Sequence, residues 1–316
     1  MALPDFLIIG SPKAGSTALH VALARHPDLF LSNPKEPKYF LCDQVEPDPA
    51  RQRGPGDAHS AREWVWDRAR YEDLFAPAPA GTLRGESTPF YLWDTHSHRR
   101  IRAQIPGVKM IAVIRDPIDR AYSNWGHLWC DGLEPEADFL AACRLEPARI
   151  AAGYAPFWRY LETGLYGRQL QHLFEIFPTE QVFVLRYRQL IDNTASILDE
   201  IAAFLGVRPG LVSTIPRSNV SNWVPDTPLN RVLRKGIRAG AVAGAHVRPE
   251  VWRQAQRPLL AALHRGNRRR PGLPTEQRKA LLPYFEADNT LLGRLTGVDY
   301  SDWLGETGRG AFTERQ

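Results

Sequence analysis

The chain has 316 residues, of which 43% are hydrophobic and 24% are charged, and its formal net charge is +5 at pH 7. This composition is typical of a soluble globular protein with a substantial core, and it excludes a disordered or fibrous chain. The 40 basic residues include only six lysines. Coding bias accounts for much of this ratio, but arginine also suits phosphate and sulfate groups, so we expect an anionic ligand. No basic stripe or DNA-reading motif is present, and no nucleic acid partner is expected.

The cysteines and the apolar runs suggest where the protein works. Cys42, Cys130 and Cys143 form no Cys-x-x-Cys pair and are odd in number, which argues against disulfides and a zinc site. We expect reduced thiols in a cytoplasmic protein. The first residues have no basic segment, and no apolar run reaches membrane-spanning length. The oligomeric state cannot be read from the sequence.

The predicted elements alternate between strands and helices along the chain. Residues 6–9 form a continuous apolar run that ends in Gly10, which is typical of a buried parallel strand. Asp116 and Pro117 are expected to cap and open the helix after the strand at 109–114. Further strands are predicted at 82–86 and 182–185, and helices at 16–25, 136–146, 165–176, 188–205, 229–242, 249–265 and 275–296.

This alternation predicts a single α/β domain over residues 1–316, with a P-loop-like central parallel sheet flanked by helices. Helical and loop insertions are expected to cover the active site. Residues 42–62, rich in Pro, Asp, Arg and Gly, predict a surface insertion. Residues 207–303 are expected to supply a loop over the bound ligand and C-terminal helices, and residues 304–316 a flexible tail.

The segment Gly10-Ser11-Pro12-Lys13-Ala14-Gly15-Ser16-Thr17 joins the first predicted strand to a helix. Its small residues let backbone N–H groups converge on an anion at the helix N-terminus. The spacing resembles a Walker A loop, but Ser16 stands where that loop has lysine, and Lys13 lies mid-turn. The strand at 109–114 ends in Arg115, where an NTPase needs a magnesium-binding carboxylate. A metal-free site for a nucleotide with phosphates at two places therefore fits better than ATP–Mg.

Two other interpretations of the turn stay open. A P-loop kinase or NTPase would use the same glycines, although the Walker lysine is missing. A non-catalytic nucleotide-binding module would bind the same ligand without transferring anything, and a strand–turn–helix of this kind can also be purely architectural.

Together these residues resemble the superfamily of sulfotransferases that use 3′-phosphoadenosine-5′-phosphosulfate (PAPS), nearest the heparan-sulfate-type and bacterial small-molecule or glycolipid branch. Residues 11–17 resemble its 5′-phosphosulfate loop and residues 114–123 its 3′-phosphate motif. Weaker likeness continues through residues 132–135, 164–167, 204–206 and 288–289 to Trp303. The resemblance implies transfer of a sulfuryl group from PAPS to an acceptor hydroxyl of a glycolipid, saccharide or natural product, leaving 3′,5′-ADP, with no metal.

The resemblance also implies which residues bind the donor. Arg115 and Ser123 are the implied 3′-phosphate ligands, and a basic C-terminal loop is expected to close over the cofactor. The full implied set is Ser11, Lys13, Ala14, Gly15, Ser16, Thr17, Arg115, Ser123, Arg268, Arg269 and Arg270.

Three side chains are candidates for catalysis. Lys13 can place an ammonium at the bridging oxygen as its charge grows. Glu36 is the leading candidate base, and it is expected to stay ionised between Lys35 and Lys38. Glu86 lies in a motif where Ser87 replaces the family's lysine, so Glu86 either orients the acceptor or caps a turn. His96 and His98 follow, and both are expected at exposed helix positions.

The acceptor side is less defined by sequence. Trp93, Trp125, Trp129 and Trp223 could stack on sugars or apolar rings, although tryptophans of this kind are more often core or rim residues. Residues 229–238 form a basic helical stretch with an apolar side. It either touches a membrane surface or packs on the domain with a solvated basic face.

Overall fold

The computed structural model of the protein describes residues 3–216, 223–243, 248–265 and 269–305. Within these ranges, five parallel strands form one sheet in the order β2-β3-β1-β4-β5. They are β1 Phe6–Gly10, β2 Leu29–Leu31, β3 Leu83–Ser87, β4 Lys109–Ile114 and β5 Val182–Arg186. The sheet is flanked by helices, which confirms the predicted α/β fold class.

The helices are α1 Ser16–Leu23, α2 Asp57–Ala61, α3 Arg68–Asp73, α4 Thr95–Gln104, α5 Pro117–Cys130, α6 Phe139–Arg144, α7 Glu146–Ala151, α8 Tyr166–Phe174, α9 Tyr187–Asp192, α10 Thr194–Leu205, α11 Pro228–Ala243, α12 Pro249–Leu263 and α13 Thr275–Thr296. No helix within the described ranges is both long and apolar enough to cross a bilayer. The three cysteines are free thiols, and all are buried.

The central strands are apolar at nearly every position because both faces of the sheet are covered. On one face Leu7 and Met110 belong to a core that includes α4 and α8 residues. On the other face Ile8 and Ile111 pack with α1 and α10. A third core lies around α5, where Trp125 and other aromatic side chains pack against the C-terminal helices. The carboxyl ends of β1, β3 and β4 meet between these layers, where ligands bind in open parallel sheets.

The structure corrects several predicted boundaries. The helix predicted over 188–205 is two helices, α9 and α10, because Asn193 leaves the helical region (φ −125°, ψ 42°). The pattern at 136–146 covers α6 and only the first residue of a separate α7. The short strand β2 was not predicted. The segment 42–62 is only partly at the surface, since Asp57 is buried and accepts hydrogen bonds from Trp158 Nε1 (2.9 Å) and Ala155 N (2.8 Å).

Candidate active site

The turn between β1 and α1 forms the floor of the site. Gly15 has a left-handed backbone (φ 92°), and a Cβ there would lie 2.9 Å from the Tyr187 ring. Ser16 begins α1, so the unpaired N–H groups of the first helical turn face the loop. The Ser11 hydroxyl is buried and lies 3.2 Å from the Tyr166 hydroxyl. The loop therefore has the tight, fixed backbone that an anion-binding turn requires.

Lys13 lies at the tip of this turn with a left-handed backbone, φ 67°. A lysine in this region is strained, and strain of this kind collects at functional sites. Burial lowers the pKa of its ammonium from 10.5 to about 8, while Asp131 raises it and the nearby Arg270 and Arg115 lower it further. Arg115 Nη1 also donates to the Lys13 carbonyl at 3.4 Å. Three cations therefore converge at one place, as a polyanion site requires.

Arg115 follows β4 directly, and its guanidinium lies 5.2 Å from the centre of the Tyr187 ring. Asp116 caps α5 by accepting from the N–H groups of Ile118 (2.9 Å) and Asp119 (3.1 Å), as predicted. It also pairs with the buried Arg278. The carboxylate after β4 is thus committed to a cap and an ion pair, which leaves Arg115 to face the site.

The basic C-terminal loop reaches the same place through Arg270. Its guanidinium lies 4.3 Å from the centre of the Tyr122 ring, and a Cβ built on Gly126 would be 3.0 Å from Nη1. Both residues lie on α5, beside the half-buried Ser123. Arg269 is exposed on the same loop, and Arg268 lies outside the described residues.

Glu36 lies on the loop after β2, with φ 62°. Its carboxylate contacts Lys35 Nζ and interacts electrostatically with Lys13 and His127. Glu36, the candidate base, and Lys13, the candidate stabiliser of the leaving oxygen, therefore face the same cleft.

Glu86 lies inside the protein instead of in the cleft. Its carboxylate accepts from Tyr71 OH (3.1 Å) and Thr88 Oγ1 (2.9 Å), and burial raises its pKa to about 7. Thr88 Oγ1 in turn accepts the N–H of Lys38 at 3.2 Å. Glu86 therefore supports the loop that carries Glu36, which favours a positioning role over contact with the acceptor.

Ser87, which replaces the lysine of the resembled motif, is also buried. Its hydroxyl lies 2.8 Å from His20 Nδ1. Burial lowers the pKa of His20 to about 4, with Lys35 lowering it further and Glu36 raising it. Ser87 and His20 thus form an uncharged pair near neutral pH, where the resembled motif has a lysine. The cation in contact with Glu36 is Lys35 instead.

Of the two histidines on α4, one agrees with the prediction and one does not. His96 is exposed as predicted, but His98 is fully buried, with Nδ1 2.9 Å from His172 Nδ1 and Nε2 3.2 Å from the Leu92 carbonyl oxygen. The prediction for His98 was wrong because it took the helix as solvated, whereas one side of α4 packs on α8. His98 is therefore a structural histidine.

His127 and Asp131 belong to the cleft but were not predicted. His127 Nε2 lies 3.4 Å from Asp131 Oδ2, and both are half-exposed. Both interact electrostatically with Lys13. Residues 123, 127 and 131 are each one helical turn apart, so the spacing after Ser123 could have identified this face.

Most of the candidate tryptophans are structural. Trp125, Trp129 and Trp223 pack together with ring centres 5.7–6.3 Å apart. Trp125 and Trp129 are buried, and Arg234 lies 3.4 Å from the Trp129 ring centre. Trp93 is half-buried beneath the Arg159 guanidinium, 4.8 Å away. Among the described parts of the chain, no cluster of three His, Cys, Asp or Glu side chains could hold a metal.

A strand–turn–helix cradle with convergent cations and a facing carboxylate is suited to an enzyme that transfers an anionic group. The family described as "Sulfotransferase domain" matches residues 3–224, and the chain belongs to this family, which confirms the predicted superfamily.

Relatives include the human bifunctional heparan sulfate N-deacetylase/N-sulfotransferase 3, 29% identical over 66% of this chain and 23% of that protein. The human heparan sulfate glucosamine 3-O-sulfotransferase 3B1 is 28% identical over 65% of this chain and 47% of that protein. The chain thus spans about a quarter to a half of these two relatives. Among solved structures, a sulfotransferase from Alicyclobacillus acidocaldarius superposes with a TM-score of 0.73 at 26% identity, covering 96% of this chain and 99% of that one.

Proposed function

We propose that the protein transfers a sulfuryl group from PAPS to an acceptor hydroxyl. The observation that carries this proposal is the convergence of Lys13, Arg115 and Arg270 on one side of the cleft, with Glu36 facing Lys13. A phosphosulfate donor with a separate 3′-phosphate presents several anionic groups, and the three cations that meet at the cleft come from the turn, the residue after β4 and the C-terminal loop.

The donor fits the turn because its backbone is closed around small residues. Ser11, Ala14, Gly15, Ser16 and Thr17 would bind the 5′-phosphosulfate through N–H and hydroxyl groups. Arg115 and Ser123 would bind the 3′-phosphate, and Arg270 would close over it from the C-terminal loop. A Cβ at position 15 would lie 2.9 Å from the Tyr187 ring, so we expect a side chain there to displace the turn or this ring.

The transfer is an in-line displacement at sulfur. The acceptor oxygen forms the new O–S bond while its proton passes to the Glu36 carboxylate. The bond between sulfur and the bridging phosphate oxygen breaks, and both of its electrons leave with 3′,5′-ADP. The Lys13 ammonium stabilises the charge that grows on this oxygen.

The acceptor class rests on the relatives, whose names specify heparan sulfate and glucosamine. For this chain we propose a hydroxyl of a saccharide, a glycolipid or a small natural product. A screen with radiolabelled PAPS against these three classes would identify it. Label in none of them would contradict the transfer. The cytoplasmic location stays a prediction.

A P-loop kinase is the alternative, and the contacts of Asp116 disfavour it. The position where a kinase needs a magnesium-binding carboxylate is Arg115, and the neighbouring carboxylate, Asp116, caps α5 and pairs with Arg278. Calorimetry with 3′,5′-ADP against ATP–Mg separates the two functions. We expect tighter binding of 3′,5′-ADP, and equal or tighter binding of ATP–Mg would overturn the proposal.

Substitutions then test the chemistry. Lys13→Ala is expected to lower turnover by about 100-fold or more with a much smaller loss of 3′,5′-ADP affinity, since its charge acts mainly in the transition state. Glu36→Gln should lower turnover by a comparable factor and leave 3′,5′-ADP affinity intact. Glu63→Gln, an exposed carboxylate paired with Arg253, is the matched control. Near-normal turnover of Glu36→Gln would transfer the base role to another group, with His127 the nearest candidate.

A further inference from the structure

Helix α11 carries an exposed apolar row on its outer side. Leu229 and Val232 are 68% and 67% exposed, and the exposed Gly236 and Ala239 continue the row at helical spacing. A Cβ built on Gly236 meets nothing within 4 Å. We refer to these four residues as the outer face of α11. Exposed aliphatic side chains aligned on one helix face mark an interaction surface more often than isolated ones do.

The opposite side of the same helix is anchored in the protein. Ile237 and Ala241 are buried. Arg234 is also turned inwards, with its guanidinium 3.4 Å from the Trp129 ring centre and its Nη2 donating to the Val224 carbonyl at 3.0 Å. These inner contacts fix the orientation of α11, so its outer face points to the solvent.

Cations line one flank of the outer face. Arg231, Lys235 and Arg238 follow one another at helical spacing, and the sequence of α11 contains no acidic residue. Asp226, just before the helix, pairs with Arg231 and offsets one of these charges. A narrow apolar row with basic side chains beside it is the pattern of a helix that lies in the headgroup region of an anionic bilayer. A protein partner would need a surface shaped to fit both the apolar row and the cations. An anionic lipid surface is complementary to both without any specific shape.

The position of α11 relative to the cleft gives this surface a use. A Cβ on Gly132 would lie 2.8 Å from Ile237, and His264 contacts the Cys130 carbonyl oxygen at 2.9 Å. The end of α5 is thus held by α11 and the end of α12. Asp131, between Cys130 and Gly132, interacts electrostatically with Lys13 in the cleft. Because a helix with its side chains is roughly 10 Å across, the outer face lies within about one helix diameter of the cleft entrance.

We propose that the outer face of α11 binds the surface of an anionic membrane and so brings the cleft to lipid-linked acceptors. The membrane contact stands on the helix alone, and only its link to the acceptor rests on the proposed sulfotransfer. The contact is reversible, since one leucine and one valine beside small residues bury little apolar area.

Vesicle flotation with the full chain tests the contact. We expect the protein to float with vesicles of equal phosphatidylcholine and phosphatidylglycerol, and not with phosphatidylcholine alone. Val232→Glu should abolish flotation, and Lys235→Gln should weaken binding about fivefold, equivalent to ~1 kcal/mol per cation. Ala239→Leu should strengthen it by more than about tenfold, because the added carbons enter the acyl boundary.

A matched control is Val45→Glu, since Val45 is 68% exposed but lies on the loop after the turn at 39–41. Calorimetry with 3′,5′-ADP, which does not depend on lipid, shows whether each variant remains folded, and it tests the donor site separately. Equal flotation of Val232→Glu and Val45→Glu, or none for the unmodified protein, would overturn the proposal. Concentration-dependent dimerisation that Val232→Glu abolishes would overturn it too, because a second copy would then cover the face.

Discussion

Arg270 provides the sharpest test of how the C-terminal loop contributes to the donor site. Its guanidinium packs 4.3 Å over Tyr122 and, with Lys13 and Arg115, belongs to the cation cluster. Burial lowers its pKa, with Tyr122 opposing this and Arg115 reinforcing it. A cation that is poorly hydrated and surrounded by like charges is strongly stabilised by a bound anion, because the anion replaces the lost hydration with a charge-assisted hydrogen bond.

The expected loss follows from the strength of one charge-assisted hydrogen bond. Arg270→Ala should weaken 3′,5′-ADP binding by roughly 10- to 100-fold, equivalent to ~1.5–3 kcal/mol. Arg269→Ala, on the same loop but exposed, should change it by less than about twofold, as surface charges usually do. Calorimetry at fixed ionic strength measures both. Equal effects of the two substitutions would refute the assignment of Arg270 to the site.

Gly126 allows the same contact to be perturbed without removing the charge. A Cβ there would lie 3.0 Å from Arg270 Nη1, so the guanidinium must shift by a few tenths of an ångström. Gly126→Ala should therefore weaken 3′,5′-ADP binding a few-fold while stabilising α5 by up to ~1 kcal/mol. Unchanged affinity in the more stable variant would show that the position of this guanidinium is not important.

Two further predictions concern titrating groups. Turnover should fall as pH rises through about 8, because Lys13 loses its charge there and no longer stabilises the leaving oxygen, and Lys13→Arg should show no such fall near that pH in an assay of sulfuryl transfer. Burial raises the pKa of Glu86 from 4.5 to about 7, so the folded state holds this proton more tightly and its stability falls as pH rises from about 4.5 to about 7. Glu86→Gln should remove this fall, on the order of 3 kcal/mol, in urea unfolding, and parallel pH profiles would contradict it.

The fold was predictable where local pattern and burial coincide. Residues 6–9 and 109–114 were predicted as strands because both faces of the sheet are covered, so nearly every position is apolar. The strand Leu29–Leu31 could not be predicted, since three residues between a helix end and a proline-rich loop carry no period. It exists because it pairs with β3, a contact that sequence does not display.

The site shows the same division. Lys13 and Arg115 were identifiable because each lies at a strand end within a local motif. The approach of Arg270 to Gly126, and of His127 and Asp131 to Lys13, depends on how α5 packs under the C-terminal helices. His98 was wrongly predicted to be exposed, because the sequence of α4 does not show that α8 covers this side of the helix.

Ser87 shows how a departure from a motif can be compensated by neighbours. A lysine on β3 would place a charge from the rigid sheet, whereas here Ser87 forms a buried hydrogen bond with His20. The cation in contact with Glu36 comes from the adjacent Lys35 on the same loop, and Glu86 supports that loop through Thr88 and the Lys38 backbone. The proposed base and its counter-charge therefore lie on the same loop. A displacement of this loop would change the distance of Glu36 from Lys13 but not from Lys35, so the loop position would set the alignment of Glu36 with the proposed donor without exposing an unpaired carboxylate.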